Sequence, residues 1–508
     1  MRIPINRESP VPLYQQIKAF LEEQIVSGAL MPETRLPASR ELAGELGVSR
    51  VTVTNAYADL EADGLIWTRV GGGTFVGSAS NAVWARAEAR STPSDWPVWQ
   101  QALMGRSWSP IRRDPDSLHS DALGNDVISL GDGVGDNELF PLQDFRRALS
   151  AVLHRDGQKA LGYGDRAGYL PLRTTIAQIL SLQGIPTQPS EVLITSGSQQ
   201  GIALVAHVLL RPGDAVLVES PTYVGAIDLF RSMDVRLVGV PADSEGMVVE
   251  QVEELVASTR PKLIYTIPTF HNPTGTCLSS VRRRRLIEIA RKFNVPILED
   301  DFAGELRYEG RAQPALKALD PGGLVIFVRT FSKILMPALR VGFLVASGPV
   351  YDCLLNSKRT LDLATSDLIQ RALDGFITVG KYQSHLRRAC RVYRQRRDAM
   401  LDALTRHMPP GVQWRKPEGG LFIWLQLPES LSAGELSPLA GKEGVLFSPG
   451  SAFFPGERDQ PCLRLTFATQ PPAAIEAGIS RLARAIRRAV ERDTRAVRQP
   501  QTQEPVAV

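Results

Sequence analysis

The chain has 508 residues, 43% of them apolar and 22% charged, with a net charge of +4. That balance excludes a fibrous or largely disordered chain, and no run of ~20 apolar residues offers a membrane span. The length suits about three compact units, and the charge permits nucleic-acid contact without arguing for it. The segment Met1–Arg7 lacks the apolar run of a secretory signal, and Cys277, Cys353, Cys390 and Cys462 form no C-x-x-C pair. We therefore expect a cytoplasmic protein with neither a disulfide framework nor a metal site.

Residues 1–78 alternate short amphipathic stretches with turns. Leu13, Ile17, Phe20, Leu21, Ile25 and Val26 recur at helical spacing up to Gly28. Two further helices follow around Gly47. Ser39 is the expected cap of the first, with Leu42, Ala43 and Leu46 inside. Ser49 is the expected cap of the second, with Val51, Val53, Ala56, Tyr57 and Leu60 inside. Two short helices about a Gly turn predict a helix-turn-helix, and "LIWTRVGGGTFVG" predicts a β-wing after it. The first turn of a recognition helix meets bases and phosphates. Here it offers Ser49, Arg50, Thr52 and Thr54, with Arg40 before it and Arg69 and the bare backbone of Gly72 in the wing. Bulk charge does not help, because residues 1–78 hold seven Lys/Arg against nine Asp/Glu; any DNA affinity must come from a local patch. The stretch 10–76 resembles the GntR-type winged helix-turn-helix, which implies binding to double-stranded DNA.

Residues 79–126 hold Trp84, Trp96, Trp99 and Trp108 without a sustained period and read as a linker. From 127 to about 490, β-rich runs such as "AVLVE", "KLIYTIP", "VPILEDD" and "GLVIFVRTF" alternate with helical stretches. That pattern predicts an α/β unit with a mostly parallel sheet and helices on both faces. Residues 491–508 are expected to be a disordered tail.

Five segments of the large region carry chemistry. In "RTFSKILMPALR", Lys333 lies between Thr330 and Ser332, with Arg340 farther on. A desolvated lysine can attack a carbonyl, and two hydroxyls with a guanidinium suit a phosphate. "TSGSQQG" joins a strand to a helix, so its free N–H groups, Ser198 and Gln199 suit an anion. Tyr223 offers a ring face, Asn272 a hydrogen bond to a phenolic oxygen, and Asp300, ahead of Asp301, a carboxylate for a pyridine nitrogen. In this order the segments resemble the fold-type I aminotransferases, which use pyridoxal 5′-phosphate (PLP). The resemblance implies that Lys333 is the Schiff-base lysine. It assigns Ser198, Gln199, Thr330, Ser332 and Arg340 to the phosphate cup, Tyr223 to ring stacking, Asn272 to the 3′-oxygen and Asp300 to the ring nitrogen. It further implies that Arg464 clamps a substrate carboxylate, that Tyr163 reaches the phosphate of a partner subunit, and that a smaller C-terminal α+β subdomain spans about 370–490.

Two positions depart from the pattern. Phe302 stands where relatives often have a Tyr that serves the 3′-oxygen. Gly225 stands where some relatives carry an arginine for γ-aminobutyrate. The basic run Arg282–Arg285 reads as a solvated helix start, and "HLRRACRVYRQRRDAM" as a long surface helix. The whole chain resembles the MocR subgroup of GntR regulators. That implies a domain-swapped homodimer on a DNA operator, sensing an amine, an amino acid or PLP through its large unit. The alternative is a working aminotransferase with an accessory DNA-binding domain.

Overall fold

In the computed structural model the described residues run from Ile3 to Arg498. Excepted are 8, 10, 27–28, 32–33, 64, 70–72, 78–125, 457–459 and the side chains of 493–498. The chain divides into two units, Met1–Trp108 and Ser109–Val508.

The first unit packs α1 (Leu13–Val26), α2 (Ser39–Leu46) and α3 (Arg50–Ala62) with a small antiparallel sheet. Its order is β1 (Arg35–Leu36), β3 (Gly73–Val76), β2 (Ile66–Arg69). Ile17, Leu21, Leu42, Val53, Ala56, Leu60 and Val76 close its core. Gly47 ends α2 in the left-handed region at φ +62°, as the break between two helices requires. Ser49 caps α3, its Oγ accepting from Thr52 N at 3.2 Å. Two details differ from the sequence reading. Ala38, not Ser39, precedes α2, and the Glu41 carboxylate accepts from Ala38 N instead. Val51 is 66% exposed, because the inward stripe of α3 begins at Val53.

The second unit is built on an eight-stranded sheet. Its order is β5 (Val192–Thr195), β12 (Gly342–Val345), β11 (Val325–Thr330), β10 (Ile297–Asp301), β9 (Leu263–Thr266), β6 (Ala215–Ser220), β7 (Arg236–Asp243), β8 (Gly246–Met247). The run from β11 to β7 is parallel, and β12 is antiparallel to both its neighbours. Side chains alternate between two cores. Val216, Val218, Leu298 and Val328 meet Ile202, Val205 and Phe230 on one face. Leu217, Ile264 and Ile297 meet Val252, Val256, Leu286 and Ala290 on the other. Two-sided burial explains why these strands read as unbroken apolar runs.

A four-stranded antiparallel sheet, ordered β13 (Gln413–Trp414), β14 (Phe422–Gln426), β17 (Cys462–Thr466), β16 (Ser448–Pro449), forms the smaller part, with the helices Lys381–His407 and Pro472–Arg498. Far upstream in sequence, β4 (Ile128–Ser129) pairs parallel with β15 (Val445–Leu446) and so joins this smaller part. The last helix runs to Arg498, past the expected boundary at 490.

Both basic runs need correction. Arg283 is fully buried, donating to Leu278 O at 2.9 Å, Pro314 O at 3.1 Å and Thr269 Oγ1 at 2.9 Å. Arg282 pairs with Asp243 and Arg285 with Glu253. The helix Lys381–His407 buries Arg396, which grips Asp136 at 2.6 Å, and Arg397. Charged heads satisfied by carbonyls and carboxylates can be buried, and spacing alone does not reveal those partners.

Candidate functional site

Parallel strands place their carboxyl ends along one edge, where the following loops converge. Asp300 lies near the end of β10, and Lys333 follows β11. Tyr223 follows β6, and Asn272 follows β9. This common edge gathers residues that are far apart in sequence.

Asp300 and Asp301 alternate across β10 and have different tasks. Asp301 Oδ2 accepts from Arg329 Nε at 2.9 Å, and its Oδ1 accepts from Gly304 N at 2.9 Å. Asp300 Oδ2 accepts from the buried Tyr265 hydroxyl at 2.8 Å, while its Oδ1 is buried with no hydrogen-bond partner. Burial pushes the Asp300 carboxyl up to about 7; the Tyr265 bond and the Lys333 charge oppose that, and the Asp301 charge adds to it. Glu219, also buried, is pushed up to about 7 for the same main reason.

Lys333 Nζ donates to Gly133 O at 2.6 Å. Arg464, fully buried on β17, donates to Asn272 Oδ1 at 3.0 Å, Gly131 O at 2.8 Å and Ser448 Oγ at 3.1 Å. Its guanidinium lies over the rings of Phe422, at 4.2 Å, and Phe453, at 4.8 Å. Phe302 stacks on that same Phe422, with centroids 6.2 Å apart. Phe302 thus backs the arginine's aromatic support.

The helix Ser198–Leu209 begins after Gly197, which sits at φ +93°. A Cβ on Gly197 would meet Arg340 Nη2 at 2.8 Å, and Arg340 Nη2 donates to Ser196 O at 2.9 Å. Thr330 and Ser332 are buried and bonded to each other at 3.0 Å. Gln199 Nε2 donates to Gly225 O at 2.8 Å, and a Cβ on Gly225 would meet the Tyr223 ring at 2.5 Å. Tyr163 is 92% exposed, away from these contacts. In the first unit Arg40, Arg50, Thr54 and Arg69 are exposed and Thr52 is half-buried. Gly72 lies outside the described residues.

Sequence reasoning missed Tyr265, Ser448 and the carbonyls of Gly131 and Gly133. Only Tyr265 left a signal: it and Thr266 bring hydroxyls into the fully buried β9, and a buried hydroxyl needs a polar partner. No cluster of His, Cys, Asp and Glu suited to a metal occurs among the described residues. No helix among them is long and apolar enough to cross a membrane.

A lone buried carboxylate oxygen, a lysine at a strand end, a glycine-opened helix with an arginine beside it and a buried arginine fork together suit an aminotransferase-type cofactor site. The family model for class I and II aminotransferases matches residues 125–482, and that for bacterial regulatory proteins of the gntR family matches 13–76. The regulator TauR of Rhodobacter capsulatus is 36% identical over 94% of this chain and 96% of its own. The probable rhizopine catabolism regulatory protein MocR of Rhizobium meliloti is 30% identical over 94% of each. The α-aminoadipate aminotransferase LysN of Thermus thermophilus, solved with N-(5′-phosphopyridoxyl)-L-leucine, superposes with a TM-score of 0.71 at 36% identity. The match covers 77% of this chain and 99% of that one. The chain therefore belongs to the MocR-type regulators of the gntR family, which join a winged helix-turn-helix to an aminotransferase fold.

Proposed function

We propose that this chain is a cytoplasmic DNA-binding transcriptional regulator whose large unit holds PLP and senses an amine or amino acid. The observation that carries the cofactor reading is Asp300 Oδ1, buried and without a partner. A protonated ring nitrogen would complete it, and its positive charge would favour the carboxylate that burial disfavours. When bound, PLP supplies an aldehyde for primary amines and an electron-withdrawing ring. Lys333 Nζ would link to it, Tyr223 cover it and Asn272 face its phenolic oxygen. The start of the helix Ser198–Leu209, with Ser198, Gln199, Thr330, Ser332 and Arg340, would hold its phosphate.

Arg464 is the reader of a ligand carboxylate. Its donors now rest on Gly131 O, Asn272 Oδ1 and Ser448 Oγ, so an arriving carboxylate exchanges partners with the protein itself. Arg50, Arg40, Ser49, Thr52, Thr54, Arg69 and Gly72 are the proposed contacts to the operator. A homodimer in which Tyr163 serves the partner subunit's phosphate accounts for an exposed tyrosine beside a glycine-rich loop. Regulation then follows from linkage: a ligand that binds one arrangement of the dimer better shifts the DNA affinity, and DNA shifts the ligand's affinity by the same factor. A footprint of the full chain beside residues 1–78 tests this. Two half-sites held tightly by the full chain and one held weakly by the head are expected; equal affinity would remove the mechanism.

The second reading, a working aminotransferase, is favoured by the presence of both Lys333 and Arg464. Turnover of an amino donor and a keto acceptor above about one per second would establish it.

A further inference from the structure

The segment "SGSQQG" contains a second glutamine, Gln200, for which the site above has no use. Its amide joins two partners. Oε1 accepts from Ser196 N at 2.7 Å, and Nε2 donates to Asp362 Oδ2 at 2.8 Å. Asp362, the last residue of the helix Pro349–Asp362, accepts on its other oxygen from Lys358 Nζ at 2.7 Å. Ser196 Oγ lies 3.5 Å from Asp362 Oδ2 and 3.4 Å from Thr365 Oγ1.

These contacts fix one another in order. Lys358 is 1% exposed, and a buried ammonium requires its carboxylate, so Asp362 is held in place. A fixed carboxylate accepts only donors, so the Gln200 amide must turn its Nε2 there and its Oε1 toward Ser196 N. Ser196 is then held by both backbone groups, its N–H by Gln200 and its C=O by Arg340. The next two residues are Gly197 and Ser198, where the helix begins and its free N–H groups point outward. An anion that binds a loop already held in shape does not have to order it.

We propose that Gln200 and Asp362 are positioning residues that set the Ser196–Ser198 loop for a phosphate, making the site selective for a phosphorylated aldehyde over its dephosphorylated form. The inference rests on the PLP reading given above. Neither side chain needs to touch the cofactor.

The test compares PLP with pyridoxal, which has the same ring and aldehyde but no phosphate. Binding of each is followed by absorbance and equilibrium dialysis on the full chain. Gln200→Leu removes both loop contacts without unpairing Lys358. It should weaken PLP by about tenfold or more, the scale of a lost charge-linked hydrogen bond, and pyridoxal by less than about twofold. Gln200→Glu, which puts a second carboxylate beside Asp362, should lower the PLP-to-pyridoxal preference in the same direction and serves if the leucine variant does not fold. Equal weakening of both ligands would show a merely structural role, and no change in either would show no role; both results overturn the proposal. A wild-type chain that takes up neither aldehyde overturns the PLP reading itself and this inference with it.

Discussion

The Tyr265 hydroxyl donates to Asp300 Oδ2 across 2.8 Å, with both side chains buried. That bond favours the charged carboxylate, yet burial wins and raises the group from near 3.8 to about 7. A folded-state value above the unfolded one adds stability that is fully present below about pH 4. It is lost as the pH rises through about 7. Asp300→Asn should therefore stabilise the cofactor-free chain more at pH 8 than at pH 5, by about 3 kcal/mol. Urea unfolding at the two pH values checks this, and an equal gain at both would contradict it.

Lys333 should carry the aldehyde. The PLP-loaded chain should be yellow, and borohydride should bleach it and fix the cofactor to Lys333. Lys333→Ala should abolish the fixed link but retain non-covalent PLP, because the loop around Ser198 and Arg340 is unchanged. Mass mapping of the reduced, digested protein reads the outcome; a pyridoxyl group on another lysine refutes the assignment.

An α-amino acid, or PLP with no amine, should be the signal rather than γ-aminobutyrate. Arg464 supplies one bidentate fork, and Gly225 supplies none. Gly225→Arg should not simply add a reader, since its Cβ would meet the Tyr223 ring at 2.5 Å. The variant should change the visible spectrum of the PLP form before any amine is added. A wild-type spectral and DNA-affinity response to γ-aminobutyrate alone would oppose the prediction.

How much of this was legible beforehand depended on where the partner of each residue lay. Asp300 and Lys333 end strands whose apolar runs are plain, so their placement followed from the order of segments. The separation of Asp300 from Asp301 rests on Arg329, a strand away, and could be carried over only from the resemblance. Sequence reading misplaces Arg283 because its carbonyl partners lie on residues 268, 278 and 314, which no helical period reveals. Val51 looked internal because it is apolar, although the inward stripe of α3 starts at Val53. The carbonyls of Gly131 and Gly133 left no trace, because backbone acceptors are identical in every residue.

Residues 1–78 carry only seven Lys/Arg, so each should matter. Arg50 opens α3 and is exposed. Arg50→Ala should cost about 1–3 kcal/mol on the operator if the side chain reads a base. If it meets only phosphate, the loss should be uniform across sequences and the salt slope should fall by about one unit. Binding isotherms at several salt concentrations, on operator and on unrelated DNA, separate the two.

The chain enters the described part of the second unit at Asp126, where Arg481 holds it at 2.8 Å. It passes at once through β4 and presents Gly131 O to Arg464 and Gly133 O to Lys333. Asp136 is then clamped by Arg396. Both side chains proposed to meet the ligand are thus bonded to the short backbone segment that follows β4. A carboxylate that took Arg464 from Gly131, or an aldehyde that took Lys333 from Gly133, would release a carbonyl of the segment just after β4, between the Arg481 and Arg396 clamps.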